Sequence, residues 1–121
     1  MRQQSSTLIA NQSMASSFNT TGINLISIYA YSIQAVWSGG SSPVGTFSLQ
    51  GSNDAGDNGS GQGVSQPVNW STITGSSQAI SGTPGNILFD VTECSYRWVR
   101  LVYTATSGSG TVSATINTKG I

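Results

Sequence analysis

The stretch YRWVRLVYTA at residues 96–105 decides the fold. Val99, Leu101 and Tyr103 alternate with residues that point the other way, which is the period of a β-strand. The opposite side carries Tyr96, Trp98 and Val102. Because both sides are apolar, we expect this strand to lie in the centre of a sheet.

Other segments of the sequence show the same period of two and are also predicted to be strands. In 31–37 one side carries Tyr31, Ile33, Ala35 and Trp37, and the other carries Ser32, Gln34 and Val36. Shorter alternating patterns occur in 46–50, 87–91 and 112–116. Trp70 with Ile73, and Ala79 with Ile80, suggest two short strands, and residues 51–68 are expected to form a long loop. Clusters of Gly, Ser, Asn and Pro separate the segments. The prediction is an all-β, antiparallel, jelly-roll-like β-sandwich of about eight strands.

The first 22 residues carry only four apolar anchors in a stretch of Ser, Thr, Gln and Asn. We predict that residues 1–22 form an N-terminal arm or a first strand, and that 23–121 form a single sandwich domain. A polar arm with few anchors suits contact with a neighbouring subunit. The anchors are therefore the predicted interface residues: Leu8, Ile9, Met14 and Phe18.

The composition argues against an enzyme. The chain has no histidine, one cysteine and four acidic residues, so the usual proton-transfer groups and activated nucleophiles are scarce. No catalytic residue, metal ligand or cofactor site is therefore predicted. The remaining candidates are Asp54, Asp57, Asp90, Glu93 and Cys94, and the chain has no imidazole to partner the thiol.

Residues 52–63, SNDAGDNGSGQG, cluster three oxygen-bearing side chains, Asp54, Asp57 and Asn58, that a calcium site would use. The spacing fits no EF-hand, and two carboxylates in a glycine-rich loop are usually solvated. We interpret the segment as a plain loop. With four Lys and Arg residues and zero net charge, the chain is also not expected to bind nucleic acid directly.

The longest apolar stretch, 25–31, is too short to cross a bilayer, and the first residues do not resemble a secretory signal. We therefore expect that the protein does not associate with a membrane. We also expect that it is synthesised in the cytoplasm of the producing cell.

The three tryptophans have two interpretations, because Trp on a β-sandwich either packs in the core or stacks against a sugar ring. Trp37 and Trp98 lie in alternating strands and are expected in the core. Trp70 follows Pro67 near the long loop and is the one candidate for an exposed ligand platform.

Segments of the chain resemble two kinds of known β-sandwich protein. The segments SNDAGDN (52–58), NWSTIT (69–74) and YRWVRLVYT (96–104) are similar to a pattern of discoidin-like sandwiches. The segments 32–54 and 100–120 resemble small β-sandwich virion proteins of tailed bacteriophages, some of which decorate or cement the capsid. Together the resemblances cover about residues 23–121. The discoidin ligand loops are not recognisable.

The phage resemblance implies a virion structural protein, expected to be a capsid decoration or cement subunit. Its expected partners are the major capsid protein or another virion protein, and further copies of itself in a symmetric homo-oligomer such as a trimer. The alternative is a glycan-binding module of a phage tail or head fibre. A cellular discoidin-like adhesion domain is a third hypothesis.

Overall fold

The computed structural model describes residues 3–53, 56–57, 63–65, 67–82 and 85–120, with the backbone alone described for 56–57 and 63–65. Within these ranges the secondary structure consists of strands, and no helix that could cross a membrane is present. The strands are β1 (Gln3–Ser13), β2 (Phe18–Asn19), β3 (Ile23–Asn24), β4 (Ile28–Ser38), β5 (Val44–Ser52), β6 (Gly56–Asp57), β7 (Gly63–Ser65), β8 (Ser71–Thr72), β9 (Gln78–Ser81), β10 (Gly85–Val91), β11 (Trp98–Ser107) and β12 (Thr111–Gly120).

Ten of these strands form two antiparallel sheets. Sheet A has the order β1-β12-β4-β10, and sheet B has the order β2-β11-β5-β8, with β3 also beside β11 and β9 also beside β5. If β2 with β3, and β8 with β9, are each counted as one interrupted strand, the two sheets contain eight successive segments. Sheet A then takes segments one, eight, three and six, which is the order of a jelly roll. The predicted β-sandwich is confirmed.

The loop predicted at 51–68 contains more structure than expected. Gly51 and Ser52 belong to the end of β5, and β6 pairs with β7 as a short separate hairpin. Asp54 and Asn58 lie outside the described residues, as does the side chain of Asp57.

Strand β11 lies inside sheet B, as the sequence predicts. It pairs with β5 on one side and with β2 and β3 on the other. Val99, Leu101 and Tyr103 are fully buried in the core. Tyr103 lies opposite Phe47 of β5, with their ring centroids 4.7 Å apart.

Sheet A supplies the other side of the core through β4 and β12. Between residues 31 and 37 the inward side chains of β4 are all buried, as the alternation predicts, and Trp37 is among them. On β12, Val112, Ala114 and Ile116 are buried too. These side chains belong to the same core cluster as the inward residues of sheet B.

Residues 3–13 form the edge strand of sheet A. Strand β1 pairs with β12 from Gln3↔Lys119 to Ser13↔Thr111, with register shifts after Thr7 and after Ile9. The four predicted interface residues contact this chain's own core. Met14 is fully buried there, and Leu8, Ile9 and Phe18 pack against it while partly exposed.

Trp98 is buried, but on the other side of sheet B from the core. It pairs with Ser52 and is not a member of the core cluster, so its burial comes from chain that covers the outer face of the sheet. The hydroxyl of Ser52 donates a hydrogen bond to the carbonyl of Asn69 at 2.6 Å. The segment before β8 therefore lies against this end of sheet B.

Candidate ligand-binding site

Of the catalytic candidates in the sequence, Asp90, Glu93 and Cys94 lie in the described part of the chain with their side chains. Asp90 and Glu93 are exposed, and the described residues contain no group of three His, Cys, Asp or Glu side chains that could hold a metal ion. Burial raises the pKa of the Cys94 thiol, whose Sγ donates to the carbonyl of Ile28 at 3.6 Å. A thiol that stays protonated is a poor nucleophile.

Trp70, the predicted platform, lies just before β8 and beside the outer face of sheet B. Its indole is half-buried, and Nε1–H donates to the carbonyl of Pro67 at 3.2 Å. This bond spans three residues and fixes the ring against its own loop. The ring is therefore held in one orientation before any ligand arrives.

Arg100 of β11 lies over the Trp70 ring. Its guanidinium carbon is 4.5 Å from the ring centroid, a distance at which the cation is attracted to the face of the indole. Its Nε–H donates to Oε1 of Gln50 at 2.8 Å. Gln50 faces Arg100 in the β5–β11 register, so both side chains leave the same face of the sheet.

The electrostatics of Arg100 are unusual for a surface arginine. Burial lowers the pKa of its guanidinium, and no carboxylate in the described part of the chain forms an ion pair with it. Among the described residues, the contacts of the Arg100 guanidinium are therefore with the neutral amide of Gln50 and the aromatic ring of Trp70. An anion approaching Arg100 meets no competing carboxylate from those residues.

A shallow cavity of about 280 Å³ opens beside this pair. The hydroxyl of Thr20 accepts a hydrogen bond from the Leu101 amide at 3.0 Å, which ties that side of the cavity to β11. The lining combines one cation, apolar ring surfaces, hydroxyls and an amide: Asn19, Thr20, Thr21, Pro67, Trp70 and Arg100. Such a lining suits a small polar ligand.

The sequence indicated Trp70 but missed Arg100. The available signal was the outward position of Arg100 on β11, on the side opposite Leu101. Its contact with Trp70 depends on how the chain between β5 and β8 returns to sheet B, and no local pattern encodes that return.

A second surface is the outer face of sheet A. Residues opposite one another in the register form rows across the strands, such as Thr7, Thr115 and Gln34. The other outward side chains of β1, β12 and β4 are also mostly hydroxyls and amides: Gln3, Ser5, Ser32, Ser113 and Asn117. Val36 and Leu88 add two exposed apolar side chains.

The outer edge of sheet A at β1 is also distinctive. In the part of the chain that the structure describes, β1 pairs only with β12, so the backbone groups on its other side face outward. The strand has no charged residue and no proline over its whole length.

No protein-family model matches the chain, and no curated protein matches it.

Proposed function

We propose that this chain is a non-enzymatic structural subunit of a bacteriophage virion, a capsid decoration or cement protein. It binds the major capsid protein or another virion protein, and it assembles with copies of itself. The observation that carries the assembly step is the open, uncharged outer edge of β1.

An open strand edge normally carries protection against pairing with another chain, such as charges, proline or bulges. From Gln3 to Thr7, β1 pairs regularly with β12, and the irregularities begin only after Thr7. These five residues are neutral, which leaves their outer backbone groups accessible to a strand from a neighbouring subunit. Strand addition at this edge would extend sheet A across the subunit boundary.

The outer face of sheet A supports the same function. Hydroxyl and amide side chains form many weak hydrogen bonds, and a repeated array of subunits multiplies weak contacts into firm attachment. The jelly-roll topology also occurs in viral capsid proteins. The link to phages rests on the resemblance of segments 32–54 and 100–120 to small β-sandwich virion proteins of tailed bacteriophages, some of which decorate or cement the capsid.

The experiment is a pair of matched double variants on the two edges of sheet A. Ser5→Lys with Thr7→Lys places charges on β1, and Asn86→Lys with Leu88→Lys places them on the opposite edge strand, β10. All four side chains are exposed, so both variants should fold. We expect the β1 variant to lose self-association in light scattering and to co-sediment poorly with undecorated phage particles.

The β10 variant should keep self-association, since the pairing edge is intact. If the β1 variant assembles and binds particles as well as the unmodified chain, β1 has no role in assembly. If the unmodified chain is a monomer that does not bind particles, the decoration function itself is wrong.

A second candidate function is a glycan-binding module of a phage tail or head fibre. The half-buried Trp70 ring, fixed by Pro67 and bordering a cavity, favours it. Retention on a column of host polysaccharide, lost in Trp70→Ala, is the expected result. Equal retention of both proteins would exclude Trp70 as the platform.

A further inference from the structure

The terminal nitrogens of Arg100 have no protein acceptor among the described residues. A guanidinium carries five N–H donors, and one of them, on Nε, is used by Gln50. The two NH₂ groups therefore keep their donors for a ligand. They form a planar fork whose spacing matches the two oxygens of a carboxylate.

We infer that the cavity beside Trp70 binds a carboxylated sugar, a uronate unit of an acidic polysaccharide, with its carboxylate on Arg100. This inference rests on the second candidate function and names the class of glycan for that site. It does not depend on assembly through β1, which lies at the edge of the other sheet.

The fork is preorganised for this contact. The Nε–H bond to Gln50 and the stacking on Trp70 fix the long arginine side chain from two directions. Less rotamer entropy is then lost when a carboxylate binds. The chain has already removed part of the water around Arg100, as the lowered pKa of its guanidinium indicates.

The rest of the lining distinguishes a uronate from other anions. Among the described residues that line the cavity, Arg100 alone is charged, which suits one carboxylate better than a doubly charged phosphate. Asn19 and Thr21 are exposed and offer an amide and a hydroxyl to sugar hydroxyls. The half-buried Trp70 offers apolar surface to the ring carbons.

The experiment uses the full chain and a matched pair of probes. The first is an oligogalacturonate, and the second is its fully methyl-esterified form, which keeps the sugar and removes the charge. Binding is followed by NMR through the indole N–H of Trp70 and the Nε–H of Arg100. We expect both signals to shift saturably with the acid form and about tenfold weaker binding of the ester, since hydrogen bonds to charged groups are the stronger ones.

Three variants locate the interaction. Arg100→Gln removes the charge and should bind both probes with the weak affinity of the ester. Arg100→Lys keeps the charge but loses the planar fork, so we expect an intermediate affinity for the acid. The matched control is Lys119→Gln, which removes a cation from sheet A and should leave binding unchanged.

The possible outcomes distinguish a failure of the uronate inference from a failure of the glycan-binding function on which it rests. If the acid and the ester bind equally well at Trp70, the module binds glycans but the inferred preference for uronates is wrong. If acetate competes as strongly as the uronate probe, the sugar ring contributes nothing, and the inference is also wrong. If neither saccharide shifts either signal, the glycan-binding function fails together with it.

Discussion

The phenolic oxygens of Tyr31 and Tyr96 lie 2.6 Å apart in a hydrogen bond that joins the two sheets of the sandwich. Tyr31 belongs to β4 of sheet A, and Tyr96 precedes β11 of sheet B by two residues. The two rings meet edge to face, with centroids 6.4 Å apart. Burial is the main cause that raises the pKa of each phenol above its usual 10.0.

This pair predicts a loss of stability in alkali. Well below pH 10.0 both phenols are protonated in the folded and the unfolded chain, so the stability is fully present. As the pH rises further, the unfolded chain releases these protons while the folded chain retains them, and the free energy of unfolding falls. Each such group contributes a slope of at most about 1.4 kcal/mol per pH unit.

Tyr31→Phe should flatten this slope, because one of the two groups no longer titrates. Urea titrations between about pH 8 and about pH 11 measure it. The control is Ile33→Val, a conservative change two positions along β4 that removes no phenol and should leave the slope as it is. An unchanged slope in Tyr31→Phe would show that other groups cause the alkaline unfolding.

Leu101→Ala should lower the free energy of unfolding by about 2–5 kcal/mol, because Leu101 is fully buried opposite Leu49 and the truncation leaves a cavity. The neighbouring Val102→Ala is the matched control. Val102 is half-buried on the outer face, so the expected loss is about 1 kcal/mol or less. Denaturant titration compares the two, and similar losses would contradict the assignment of the core face.

Gly85→Ala should destabilise the sandwich by about 1–3 kcal/mol through overpacking. Gly85 lies opposite Trp37 in the β10–β4 register, and an added Cβ would collide with the indole ring. The ring cannot move freely, since its Nε1–H donates to the carbonyl of Gly82 at 2.9 Å. Asn86→Ala, at the exposed next position, is the control, and equal melting temperatures would refute the close packing.

Met14→Ala should cost about 2–5 kcal/mol, as expected for a fully buried methionine. The same change at half-buried Leu8 should cost less. Thermal unfolding at several protein concentrations separates core from interface. A loss that disappears when the protein is concentrated would place Met14 in a contact between subunits instead.

Alternation predicted the strands well where one strand face is buried and the other exposed. It located β4, β5, β10, β11 and β12, because each repeats the period of two over several residues. The two-residue strands β2 and β3 lack enough residues to show a period, and their place beside β11 depends on backbone pairing.

Trp98 shows a second limit of predicting structure from the alternation of apolar residues. The alternation placed it correctly on the side opposite Val99 and Leu101, but an apolar residue on that side has two explanations, a second core or a covering loop. The structure shows that the chain before β8 lies against that end of the sheet, where the Ser52 hydroxyl bonds to Asn69. Contacts between distant segments of this kind leave no periodic trace, and the Trp70–Arg100 pair was hidden for the same reason.

The pairing of β1 with β12 has a consequence for biosynthesis. Within this domain β12 is the last strand to leave the ribosome, yet it lies between β1 and β4. Sheet A therefore cannot close until β12 has emerged, and β1 stays unpaired while the rest of the domain is synthesised. Because long-range strand pairing is slow, the nascent chain exposes a neutral strand that is prone to join a neighbouring chain. Polysomes, which bring such chains close together, would then favour the first contacts between copies.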